Sequence, residues 1–115
     1  YCVNAKYGSA AGYRALLRSS GIDQVAGITF DPNLFMRNGN LDFYFGASGH
    51  FANEALAHAA DMGADYFAIS PSPFYGRIVH HHPDFESKQQ AFTGRTIELL
   101  GALAAKAREL GVTLV

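Results

Sequence analysis

The stretch "ALAHAADMGADYFAISPSPF", residues 55–74, decides how the rest of the chain is read. Its first half continues from Phe51 with Ala55, Leu56, Ala59 and Met62 at helical spacing, and Gly63 stands where a left-handed residue ends such a helix. The period then changes. "DYFAIS" is apolar almost without alternation, the pattern of a parallel strand covered on both faces. A helix that hands over to such a strand through a short glycine turn is one half of a βαβ unit.

The same unit recurs on either side. Upstream, "SAAGYRALLRSSG" (residues 9–21) offers Ser9 as an N-cap, Tyr13, Leu16 and Leu17 as one apolar face, and Gly21 just past the end. "QVAGITF" follows as a short β-branched and aromatic run. It stops at Asp31-Pro32, because Pro32 removes a donor and pushes Asp31 toward an extended conformation. Residues 34–50, "LFMRNGNLDFYFGASGH", read as loop with irregular structure: Asn38-Gly39 is a turn signal, and Gly46 and Gly49 weaken any helix drawn through them.

Downstream, residues 85–111 read as a long helix. Ser87 and Gln90 have the spacing of a capping box, Phe92, Leu99, Leu103, Ala107 and Leu110 form its buried stripe, and Gly111 ends it. "VTLV" then opens a third strand. Strands are therefore expected at residues 25–30, 66–70 and 112–115, parallel and adjacent, with the two later helices on the same side. The core is expected to include Phe67, Ile69, Leu99, Leu103 and Leu110.

Composition narrows the function. The 115 residues suit one domain, and nine Lys and Arg against ten Asp and Glu leave a net charge of −1, so no basic face is offered to a nucleic acid. Cys2 is the only cysteine, which excludes an internal disulfide and any cysteine-based zinc motif; it reads as a packing residue and fits a reducing compartment without proving one. No apolar run approaches the roughly 20 residues that span a bilayer. A cytoplasmic protein is expected. The chain opens at Tyr1 without a methionine and stops at Val115 within a strand; its three strands could close as a small three-layer sheet, but a four-residue apolar edge strand is better explained by a segment of a larger barrel.

In parallel α/β folds, ligands are held at the C-terminal ends of the strands, so the loops after Phe30 and Ser70 are the places to look. Asp31 is placed to act as a general base or to bond a substrate hydroxyl, or else to form a turn before Pro32. Asn33, Phe35 and Tyr75 supply polar and stacking contacts to a ring, or cover the mouth of the fold. Ser70 and Ser72 carry hydroxyls at a strand end; the competing reading is a strand terminator with local backbone bonds. Arg77 is the only cation of its loop and suits either a bidentate clamp on an anionic group or, the reading favoured, a plain exposed arginine. His80, His81 and His82 are consecutive, so in extended structure they point in different directions and do not converge on one metal. His80 and His81 are candidates for substrate contact. His50 and His58 have weaker cases, and His58 reads as a surface or packing residue.

"ALAHAADMGADYFAISPS" followed by "IELLGALAAKARELGVTLV" resembles the sugar phosphate isomerase/epimerase family of xylose isomerase-like TIM barrels, over residues 25–115. The resemblance implies a partial (β/α)8 barrel, strands three to five of the eight. It also implies metal-assisted proton transfer next to the carbonyl of a sugar or sugar-like polyol. A divalent metal (Mn, Mg, Co or Zn) is expected, with its ligands outside this chain. The family's glutamate ligand falls just beyond Val115, and Ser70 stands where endonuclease relatives carry a histidine before the proline matched by Pro71. Serine is no substitute for an imidazole on zinc, so a repair nuclease is not expected.

A second resemblance, of "GASGHFANEALAHAADMGADYFAISPSPF" to thiamin phosphate synthase, implies a pyrophosphate site; here Phe74 and Tyr75 replace that family's hydroxyl and lysine positions. The expected partner is a small sugar, with neither nucleic acid nor membrane, and with homo-oligomerisation open. The rival from another class is a non-catalytic partial-barrel module that needs a partner to cover its edges.

Overall fold

The computed structural model describes residues 8–35, 40–70 and 85–115, with the side chains of residues 33, 34 and 85 left aside. The chain is an α/β fold. The elements run α1 (Ala10–Ser19), β1 (Gly27–Phe30), a 3-10 turn (Pro32–Phe35), α2 (Leu41–Asp61), β2 (Tyr66–Ile69), α3 (Phe85–Leu110) and β3 (Thr113–Leu114). The strands lie in sequential order, β1 beside β2 beside β3, and both pairings are parallel. Register pairs Gly27 with Tyr66 and Phe30 with Ile69 on one side of β2, and Tyr66 with Thr113 on the other. Each strand is shorter than the sequence suggests. Beyond the ladder, backbone bonds continue from Asp65 N–H to Ala26 C=O and from Val115 N–H to Phe67 C=O.

Parallel crossovers are right-handed, so two that step in the same direction deliver their helices to the same face of the sheet. The core records this. Phe67 and Ile69, two apart on β2, are both buried in one cluster with Ala52, Leu56 and Ala59 of α2 and Leu103 and Ala107 of α3. Ile28 and Phe30 of β1 and Leu114 of β3 pack against it from the same side.

The opposite face carries Gly27, Thr29, Tyr66, Ala68 and Thr113, and no element among the described residues covers it. Tyr66 is 40% exposed. The expectation that β2 is buried on both faces is therefore corrected: burial alternates along "YFAI". Composition hid the alternation because Tyr66 and Ala68 on the open face are themselves apolar.

The three described helices end alike. In α2 the N–H of Gly63 bonds Ala60 C=O while Ala64 N–H reaches back to Ala59; in α3 Gly111 bonds Arg108 and Val112 reaches Ala107; Gly21 and Ile22 close α1 in the same way. This paired bonding needs a left-handed residue, and Gly63 and Gly111 stand at φ 69° and 70°. The starts were less legible. Ser9 does cap α1, accepting from Gly12 N–H. Leu16, expected on the buried face of α1, is 46% exposed. Residues 41–50, read as loop, are the first half of α2, which begins where the Asn40 side chain accepts from Phe43 N–H. Asn38-Gly39 lies outside the described residues. Ser87 does not start α3, which is already helical at Phe85.

Helices of 21 and 26 residues run about 31 and 39 Å at 1.5 Å per residue, against about 13 Å for a four-residue strand. The C-terminal halves of α2 and α3 cover the sheet, and their N-terminal halves extend past the C-terminal ends of the strands. There they bury a second cluster, Tyr44, Phe45 and Phe92, with Phe35, Leu41 and Leu99 against it. Arg95 lies over the Phe45 ring, 4.7 Å from its centre, and donates to Asp42 at 2.6 Å. Leu99 and Leu110, expected in the core, are half-buried at its margin, while Leu103 is fully buried. No helix among the described residues is long and apolar enough to cross a membrane.

Candidate functional site at the C-terminal rim

Asp31 follows directly on β1 and Ser70 on β2, so the pairing of Phe30 with Ile69 makes them neighbours at adjacent strand ends. Parallel strands are spaced about 4.8 Å apart, which sets the scale of their separation. Both residues are exposed. Thr29 and Ala68 lie two residues before them on the uncovered face.

The rim is held from behind by aromatic packing. Pro32 is buried and turns the chain at once into the 3-10 turn Pro32–Phe35. Phe35 stacks on Phe51 of α2 with ring centres 5.2 Å apart and 7° between planes, and Phe30 bridges Phe35 (6.3 Å) and Phe67 (6.4 Å). Asp31 is thus flanked by Phe30 and Pro32, both anchored on the helix side of the sheet. Phe35, considered as a ring-stacking contact, instead pins this turn to α2. His50 packs edge-on against Phe51 and faces Glu54 at 3.7 Å, and it is exposed.

Of the eight residues named from sequence as substrate contacts, the structure brings Asp31 and Ser70 together. The backbone of Asn33 sits in the 3-10 turn beside them. Ser72, Tyr75, Arg77, His80 and His81, with His82, lie outside the described residues, as does Cys2.

The face below the rim was missed. Its signal was present in "GITFD", residues 27–31, where small or polar residues alternate with Ile28 and Phe30. Tyr66 forms the bottom of this face, its ring laid across Gly27 so closely that a side-chain carbon at residue 27 would overlap it. Above it Thr29 and Ala68 are small, and the layer after them is Asp31 and Ser70. The surface is a shallow wall with an aromatic base, short side chains and a polar upper edge.

Among the described residues no group of three or more His, Cys, Asp or Glu side chains meets at one point, so they do not fit a metal site. A crevice lined by Ala105, Arg108 and Glu109 lies near the C-terminal end of α3, which leads into the start of β3 and is therefore at the opposite end of the sheet from the rim. No family model matches the chain, and no curated protein or solved structure matches it.

Proposed function

We propose that the sheet is an arc of a (β/α)8 barrel, and that its rim binds a sugar or sugar-like polyol for isomerisation or epimerisation by proton transfer next to a carbonyl. The observation that carries this reading is the sequential parallel order with both crossover helices on one face. A barrel winds one way and turns its other face inward; one βαβαβ half of a doubly wound sheet has the same three-strand order, and the resemblance of residues 25–115 to xylose isomerase-like barrels favours the barrel between them. Asp31 and Ser70 then stand at the C-terminal rim on the inward side, where barrels hold substrate.

In this reading the Asp31 carboxylate accepts a proton from the carbon next to the carbonyl or bonds a neighbouring hydroxyl, and the Ser70 hydroxyl orients the polyol by hydrogen bonding. Ser72, Tyr75, Arg77, His80 and His81 follow Ser70 in sequence and are the remaining candidates for substrate contact, outside the described residues. The divalent metal that such chemistry uses would draw its ligands from outside the described residues.

The test is exchange of the proton on the carbon next to the carbonyl, followed by NMR in D2O with a panel of aldoses and ketoses and added Mg2+. The full-length barrel, with its metal ligands in place, is expected to exchange it, whereas this segment alone is expected to be inactive. Asp31→Asn should slow exchange by about 100-fold if Asp31 is the base, and Ser70→Ala by about 10-fold if it loses one hydrogen bond of ~1.4 kcal/mol. Metal content should stay unchanged in both. Loss of metal on replacing His80, His81 or His82 would restore the histidine-cage alternative. No exchange with any sugar by the full-length protein would favour the non-catalytic module. That rival draws on the face that no described residue covers, since parallel sheets are ordinarily covered on both sides.

A further inference from the structure

We draw no further inference here: the strongest candidate, the uncovered face of the sheet around Tyr66, Thr29 and Ala68, already serves the proposed barrel reading, and nothing in the structure shows what covers it.

Discussion

Two residues carry more of the account than their size suggests. Ser48 is fully buried within α2, and its hydroxyl has no hydrogen-bond partner among the described residues. An unsatisfied buried hydroxyl costs about 1–3 kcal/mol, and alanine is the better helix former, so Ser48→Ala should raise the unfolding free energy by about 1 kcal/mol in urea titration. A loss of stability would mean that the hydroxyl is bonded after all. Gly27 is the second. Any side chain there must displace the Tyr66 ring. Gly27→Ala should therefore cost about 1–3 kcal/mol in the native background and clearly less in a Tyr66→Ala background, a coupling that a double-mutant cycle reads directly. Equal costs in both backgrounds would remove Tyr66 from this face. The sequence showed Gly27 as a residue inside a strand run. It did not show the contact, because register is a property of two strands and Gly27 meets Tyr66 only once β1 and β2 are paired.

At the scale of elements, the ends of helices were more legible than their beginnings. Gly21, Gly63 and Gly111 announce the C-termini because the closing motif demands a left-handed residue. The start of α2 was obscured by Gly46 and Gly49, which lower helix propensity but do not forbid a helix. The neighbouring Tyr44 and Phe45 bury their rings against Phe92, and that packing outweighs about 1 kcal/mol per glycine. Removing the cap by Asn40→Ala should cost about 0.5–2 kcal/mol, read as a lower denaturation midpoint; an unchanged midpoint would place the start of α2 elsewhere. The stripe of α3 was read correctly as a face and too evenly in depth. Leu103 lies at its centre and Leu99 and Leu110 at its margins. Leu103→Ala should accordingly cost about 2–5 kcal/mol. Ile97, 66% exposed, should tolerate alanine within about 0.5 kcal/mol. Similar costs at Leu103 and Ile97 would show α3 rotated about its axis.

At the scale of the whole molecule, alternating helices and strands were enough to anticipate a parallel sheet, and the sequential order then followed from right-handed crossovers between neighbouring strands. What covers the second face was not legible, because "YFAI" reads the same whether one face or both are buried. The candidate site was legible as two strand ends, and its floor emerged only when register aligned Gly27 with Tyr66 and Thr29 with Ala68. The central claim is that ligand binds on the uncovered face at the C-terminal rim. Its most direct test is a titration of 15N-labelled protein with a panel of monosaccharides and linear polyols in the presence of Mg2+, followed by amide chemical shifts. The account predicts saturable shifts at Thr29, Asp31, Ala68 and Ser70, with the helix-facing Leu103 and Ala107 unmoved. Shifts confined to the crevice at Ala105, Arg108 and Glu109, or no saturable shift with any of these compounds, would contradict it.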